Sequence, residues 1–519
     1  MRSTIKIVIL LFFICTSMSG ASFPDMEKYM RQHALIWEQL PMQWNEGAFL
    51  GNGLVGMMVY ADSTLNALVF HLGRPDVTDH RKAPYRKTSI GTEEADKMVD
   101  FCRLDVGKML LFPEGKILSG TFYLDIYNAE LTGHLKTDKG DLTFHAYTPQ
   151  PEEVNIVEVS SGVPYRWKGI PGNPCSPRIR VFPHLKEKLK YKDNPAPVVD
   201  QKDKEGSWVQ SLLAGGDYAT YWKEVPGGKS RSVLYVSTAN EVPASSLSLA
   251  KAMKTVEATQ ITGTKLLKQK TRQWWNAYHE RSFLSIPDKK LENFYFIQMY
   301  KLATCSHPDG PAMDVMGTFF KLSPWPSFWW NLNIQLTYMP IGPANRMEQG
   351  KNFQRLMDEV FPSLVRSIEP CKIGDYTWAL QNYYMYLRYA GADWQDIKQQ
   401  VVPKALDAFA VFDKILCYKE NTWHLTHIES PEYEGFQKYN DSNYGLASLS
   451  WLLQTLIACH DRTSSTHPDY ARWKEILTRL APYPTNENGL MIAANKPLEK
   501  SHRHYSHLLA FYPFRLLHP

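Results

Sequence analysis

The residues best suited to chemistry are two asparagines behind a pair of tryptophans. Asn331 and Asn333 flank one apolar residue and follow Trp329-Trp330. If this segment is extended where it leads into a helix, or forms the first turn of a short helix, both amides can project toward one cleft. Each amide offers hydrogen-bond donors and an acceptor there. Such a pair can grip one water molecule beside an aromatic wall. The structural alternative is that Asn331 caps the helix and that Asn333 forms hydrogen bonds with a neighbouring loop.

A carboxyl group on a turn is the second feature. In Ser430-Pro431-Glu432 the proline disfavours a helix at the preceding residue and predicts a rigid loop, which is where catalytic groups are often carried. Cleaving a glycosidic bond needs a protonated carboxyl at the leaving oxygen, and burial beside Tyr433 or Trp423 would favour that form. The alternative for Glu432 is a solvated surface charge in a glutamate-rich segment.

Three histidines and an arginine form the third feature, in His502-Arg503-His504-Tyr505-Ser506-His507. This segment can hydrogen-bond the hydroxyls of a sugar or hold a carboxylate. The His-x-His spacing lacks an acidic ligand and an HExxH pattern, so the sequence predicts no metal site. The residues expected to contact substrate are Trp329, Trp330, His427, Asp441, His502, His504 and His507.

The composition limits the class of protein. The chain has 519 residues, 44% of them hydrophobic, which is too long for one ordinary core. Its 58 Lys and Arg against 53 Asp and Glu give a net charge of +5, so no strong field favours a nucleic-acid partner. No GxGxxG or GxxxxGK[ST] motif opens a helix, and no cofactor is predicted.

The asparagine, glutamate and histidine features together predict an oligosaccharide or polysaccharide as the partner.

The first residues are typical of an export signal. A positive start at Arg2 and Lys6, an apolar run over Ile7–Ile14 and a small-residue exit predict a cleaved signal over residues 1–21. The sequence offers no later apolar stretch of roughly 20 residues for a transmembrane helix. These features predict a secreted or periplasmic protein. The cysteines show no CxxC pair and are expected to be mostly buried thiols.

Periodicity divides the remainder into three parts. Residues 22–242 are rich in short β-prone runs between turn residues, which predicts an antiparallel β-sandwich. Residues 243–287 favour a helical linker, and residues 288–519 predict an all-helical domain. The helices are expected within residues 347–367, 375–390, 394–416, 441–459 and 468–480.

These features together resemble glycoside hydrolase family 95, whose activities include α-L-fucosidase and α-L-galactosidase. The resemblance rests on five motifs in order: Phe49-Leu50-Gly51-Asn52-Gly53-Leu54-Val55-Gly56, Asn331-Leu332-Asn333-Ile334-Gln335, Ser430-Pro431-Glu432, Asp441 at a helix start, and His502 to Leu508. It implies that Asn331 and Asn333 activate the attacking water and that Glu432 is the general acid. It also implies a β-sandwich, a helical linker, an (α/α)6 barrel and a small C-terminal β-domain.

Two departures from the family pattern matter. The family usually shows an Asn-Glu pair and a Trp after the strand near Leu68, where this chain reads His71 to Arg81. Family members continue beyond the His-rich motif, whereas this sequence stops at Pro519. About eight helices fit between residues 288 and 519, so the barrel is predicted to be incomplete, and the family Asp that assists the water is expected in the missing part.

The sequence therefore predicts an exported, inverting exo-glycosidase of the six-hairpin type, acting on terminal α-L-fucosyl or α-L-galactosyl residues. Two alternatives stay open. One is another (α/α)6 glycosidase or a phosphorylase with a different carboxylate pair. The other is a carbohydrate-binding protein without catalysis.

Overall fold

A computed structural model describes residues 25–81, 99, 101–242, 247–435 and 437–518. The predicted export signal, residues 1–21, lies outside these ranges. Across the described part of the chain, strands dominate up to Glu241 and helices follow from Ser248. We call residues 35–241 the sheet region and residues 248–517 the helical region.

Two antiparallel sheets make up most of the sheet region. The larger has nine strands in the order β1-β8-β9-β10-β11-β16-β15-β14-β13, and the smaller has five in the order β12-β7-β4-β3-β2. A two-stranded ribbon joins β5 to β6. The strands are β1 Leu35–Trp37, β2 Ala48–Gly51, β3 Gly56–Asp62, β4 Ala67–Gly73, β5 Thr78–His80, β6 Phe101–Arg103, β7 Lys108–Pro113, β8 Ile117–Asp125, β9 Glu130–Thr137, β10 Asp141–Tyr147, β11 Val154–Ser161, β12 Tyr165–Ile170, β13 Val198–Gln201, β14 Glu205–Ser211, β15 Asp217–Gly228 and β16 Arg231–Glu241.

The two sheets share one hydrophobic core. Side chains alternate between buried and exposed along β9, as expected for a strand with one face against a core. Phe70 on the smaller sheet meets Phe144 on the larger one edge to face, with ring centroids 5.5 Å apart. Leu68 and Leu131 are fully buried in the same core.

The helical region has a separate core around Trp330, Leu380 and Leu452. Helix α10 is buried from Ile373 to Tyr383, including the polar side chains of Asp375, Gln381 and Asn382. Within the described ranges, no helix is long and apolar enough to cross a membrane. The helices of the chain are α1 Met26–Met30, α2 Pro177–Val181, α3 His184–Lys188, α4 Ser248–Thr262, α5 Thr264–His279, α6 Lys289–Cys305, α7 Asn333–Tyr338, α8 Lys351–Glu359, α9 Phe361–Val365, α10 Ile373–Tyr389, α11 Trp394–Gln400, α12 Val402–Phe412, α13 Asn443–Thr463 and α14 Tyr470–Arg479.

Short ribbons and single 3-10 turns connect these helices. The ribbons pair β17 Leu416–Lys419 with β18 Thr422–Leu425, β19 Ile428–Glu429 with β20 Lys438–Tyr439, and β21 Thr485–Asn486 with β22 Gly489–Leu490. The 3-10 turns are Arg31–His33, Trp44–Glu46, Met347–Gly350, Pro370–Lys372, Asp413–Ile415 and Ser506–Leu508.

The glycine-rich turn after β2 docks the sheet region on the end of α6. The backbone N–H of Gly53 donates to the carbonyl of Thr304 over 3.0 Å. Gly53 has φ +82°, and a Cβ atom there would lie 2.3 Å from the carbonyl carbon of Ser306. Only glycine permits this left-handed backbone at such a close approach.

Arginines of the sheet region hold the loop that precedes α7. The buried Arg103 donates to the carbonyl of Gly317 over 2.6 Å and pairs with Asp314 at 3.2 Å. Its backbone N–H donates to the carbonyl of Pro326 over 2.5 Å. The loop that leads to the asparagine pair is therefore fixed from the sheet side.

Candidate active site

A cleft of about 250 Å³ opens in the helical region. It brings together three segments that are far apart in the sequence: the loop before α7, the turn after β19, and the histidine-rich segment. Asn333 and Glu432 both line it. The full lining is Val315, Trp325, Trp329, Leu332, Asn333, Glu432, Arg503 and His504.

The two asparagines take different positions at the start of α7. Leu332 has φ +66°, and this turn of the backbone places the exposed Asn333 at the cleft. Asn331 is only 3% exposed, and its Oδ1 has no hydrogen-bond partner among the described residues. Neither side chain caps the helix. The amides therefore occupy an outer and an inner position rather than one shared edge.

Buried contacts fix the orientation of α7. The side-chain amide of Gln335 donates to the carbonyl of Asp375 over 2.8 Å, and Asn382 donates to the carbonyl of Gln335 over 2.6 Å. Trp330 is fully buried and stacks on Tyr376, with centroids 5.1 Å apart. A side chain in that position supports the cleft from behind and offers no surface to a sugar.

The turn that carries Glu432 is clamped to the histidine-rich segment. Glu432 has φ +51°, a left-handed conformation that a turn of this tightness imposes. The hydroxyls of Ser430 and Ser506 are 2.7 Å apart and buried. The rings of Tyr433 and His502 pack edge to face, with their centroids 5.2 Å apart. These contacts hold the carboxyl group over the cleft.

The carboxylate of Glu432 contacts Arg503 and lies 3.1 Å from Nε2 of His504. The side chain of Arg503 is 77% exposed, whereas Glu432 is 23% exposed. Burial lowers the pKa of His504, and the negative charge of Glu432 opposes that effect. Burial likewise lowers the pKa of His502. Both rings are therefore neutral near pH 7 and can each donate and accept one hydrogen bond.

The remaining predicted substrate contacts do not line the cleft. His502 and His507 are buried and outside its lining, and His427 is exposed in the bend between β18 and β19. Asp441 accepts a hydrogen bond from Nδ1 of His424 over 2.7 Å and another from the backbone N–H of Leu425 over 2.8 Å. Asp441 thereby ties β18 to the start of α13.

Two notable residues, one lining the cleft and one buried against α7, escape an inspection of the sequence. Trp325 lines the cleft and lies 5.1 Å from Trp329, and the prolines on both sides of it are its one sequence signal. Asp375 is buried in the first turn of α10 and accepts a hydrogen bond from the hydroxyl of Tyr444 over 2.5 Å. Burial raises its pKa to about 7, and the charges of Glu429 and Glu432 add to that shift.

No family model and no curated protein matches this sequence. Among solved structures, the chain is similar to one described as a putative kojibiose phosphorylase from the human microbiome, at 9% identity and a TM-score of 0.56, over 85% of this chain and 66% of that one. A bacterial glucoamylase complexed with acarbose is 8% identical with a TM-score of 0.48, over 86% and 69% of the two chains.

A third structure, the GH92 α-mannosidase BT3965 from Bacteroides thetaiotaomicron, is 9% identical with a TM-score of 0.33, over 85% of this chain and 63% of that one. The chain is thus similar in fold to the structure described as a putative kojibiose phosphorylase. It spans about two thirds of the length of the phosphorylase-like structure. At 9% identity this likeness establishes the fold alone, and membership of glycoside hydrolase family 95 stays a prediction.

Proposed function

We propose that this protein is an exported inverting exo-glycosidase that removes terminal α-L-fucosyl or α-L-galactosyl residues from glycans. The observation that carries the proposal is that Asn333 and Glu432, distant in sequence, line one cleft. An inverting glycosidase needs an acid on one side of the scissile bond and a held water on the other. In this proposal the sheet region is a β-sandwich and the helical region belongs to an (α/α)6-type barrel.

Glu432 and Asn333 have different roles in the proposed reaction. Glu432 donates its proton to the leaving oxygen, which requires the exposed side chain of Arg503 to move away from the carboxylate. Water held by Asn333 attacks the anomeric carbon from the opposite face. Asn331 is buried and does not line the cleft, so Asn333 alone is assigned to this water. An amide is a poor base, and Glu432 is the one carboxyl group among the described residues that line the cleft, so the proton of the water has to pass to a carboxylate outside that lining.

Hydrolysis of aryl α-L-fucoside and α-L-galactoside tests this proposal. Replacing the acid in Glu432→Gln should lower kcat by roughly 10²- to 10⁴-fold, and Asn333→Ala should lower it as well. Glu434→Gln is the matched control, because Glu434 belongs to the same turn but pairs with Lys496. Proton NMR of the first product should show the inverted anomer. Near-normal turnover in both cleft variants would remove these assignments.

A phosphorylase is the second candidate, favoured by the fold likeness and by the exposed guanidinium of Arg503 in the cleft. In that reaction inorganic phosphate replaces water as the attacking group, and a planar cation suits its charge. Sugar release that depends on added phosphate, with a glycosyl phosphate as product, would identify it. Glycan binding without release of any monosaccharide would instead indicate a non-catalytic binding protein.

A further inference from the structure

A tryptophan on the loop before α7 forms a second aromatic surface in the cleft. Trp325 is 36% exposed, whereas its neighbour Trp329 is 4% exposed. The two indoles are tilted by 57°. A flat indole that keeps a large open surface beside Asn333 and Glu432 can cover the apolar C–H face of a sugar ring.

The sheet region holds this indole in place. Arg178 on α2 places its guanidinium carbon 5.3 Å from the centre of the Trp325 ring. The same side chain donates to the carbonyl of Pro324 over 2.6 Å and is only 7% exposed. A cation over an indole is attractive, and the hydrogen bond to the preceding residue fixes the distance. Arg103 holds the following residue, Pro326, from the same side.

The loop has little freedom of its own. Prolines at 324 and 326 restrict the backbone on both sides of Trp325, so its position follows from where the two flanking carbonyls are held. Both carbonyls accept hydrogen bonds from arginines of the sheet region. One wall of a cleft in the helical region is thus set by the other half of the molecule.

We propose that Trp325 contacts the sugar substrate and that Arg178 is the residue that positions its indole. The inference rests on the proposed function and specifies its substrate: a glycan whose sugar ring presents an apolar face toward the loop. Trp325 is not involved in proton transfer. Its loss therefore weakens binding and leaves the chemical step largely intact.

Steady-state kinetics on aryl α-L-fucoside and α-L-galactoside provide the first test. Trp325→Ala should raise KM about 10-fold, with little change in kcat. This is the loss in affinity expected when one aromatic contact is removed. Trp325→Phe should recover part of the affinity. Arg178→Met should raise KM in the same direction, and Arg178→Lys should recover part of it. The control is Arg166→Met, which removes another arginine stacked on an aromatic ring, Phe112, in the sheet region.

A double variant separates positioning from an independent effect. If Arg178 acts through the indole, Trp325→Ala combined with Arg178→Met should have the same KM as Trp325→Ala alone. Additive increases in KM would overturn the positioning role.

Fluorine NMR of the full chain labelled with 5-fluorotryptophan provides a readout that does not need turnover. The Trp325 resonance, assigned from Trp325→Phe, should shift in Arg178→Met and stay in Arg166→Met, and it should shift when the aryl glycoside is added to Glu432→Gln. An unmoved resonance with a glycoside that the enzyme hydrolyses would overturn the inference alone. A shift without any hydrolysis would overturn the proposed function alone. The absence of both the shift and the hydrolysis would overturn the proposed function and the inference together.

Discussion

Asp375 is a buried carboxyl group beneath the asparagine segment. Burial raises its pKa from the ordinary 3.8 to about 7, although the hydroxyl of Tyr444 counteracts part of this shift. Between these two values the folded protein binds more protons at this site than the unfolded chain does. The contribution of Asp375 to the free energy of unfolding therefore falls as the pH rises through that interval.

We expect Asp375→Asn to remove this dependence. The slope of unfolding free energy against pH should become less negative by up to about 1.4 kcal/mol per pH unit between pH 4 and 7. Urea unfolding at several pH values measures it. Asp461→Asn is the control, because Asp461 also accepts a hydrogen bond from a tyrosine but lies on the surface, where its pKa is lowered. Parallel pH profiles for wild type and Asp375→Asn would contradict the prediction.

Individual site residues could be predicted only in part, because a sequence motif identifies polar groups but not their neighbours. The motifs indicated Asn333, Glu432 and His504, which the fold brings to one cleft. Trp330 belongs to the same motif yet is fully buried, because its ring stacks on Tyr376 in the core of the helical region. Trp325 was missed because its position depends on arginines from the sheet region.

The helices followed their sequence patterns except at breaks. The single helix predicted over 347–367 is wrong: α8 ends at Glu359 and α9 begins at Phe361. The predictions of helices at residues 375–390 and 468–480 are confirmed by α10 and α14. The single helix predicted over 394–416 is wrong: α11 ends at Gln400 and α12 begins at Val402. Pro403 causes the break, since it has no N–H to donate to the carbonyl of residue 399. Apolar residues keep their helical spacing across such a break, so the sequence pattern does not reveal where the helix is interrupted.

At the level of elements, the turn at Gly53 is predicted to be more sensitive than other glycine turns. Gly53→Ala forces a methyl group to within 2.3 Å of the backbone of Ser306, besides the unfavourable φ of +82°. Gly263, between α4 and α5, has a similar φ of +78° and open space around it. Gly263→Ala should cost about 1–3 kcal/mol of unfolding free energy from backbone strain. Gly53→Ala should cost more by urea denaturation, because the overlap with Ser306 adds to that strain. Equal losses would show that the contact with α6 is not tight.

At the level of the whole molecule, the contact between the two regions depends on a buried ion pair. Arg103 and Asp314 are 1% and 3% exposed. Arg103→Met leaves Asp314 without its cation in a buried position, which should cost about 3–5 kcal/mol of unfolding free energy. Arg366→Met, which breaks an exposed pair with Asp407, should cost about 1 kcal/mol or less. Urea denaturation of the two variants compares them, and a loss in Arg103→Met as small as in Arg366→Met would contradict the prediction.

The cleft draws its walls from residues near 325, 432 and 503, so none of its chemistry resides in one local segment. During refolding, helices and strands form from neighbouring residues first, and pairings across long stretches of chain close later. The proposed glycosidase activity would therefore recover later than circular dichroism, and a trapped intermediate rich in helix would lack it. The time course of regained activity thus reports the last long-range closure of the chain.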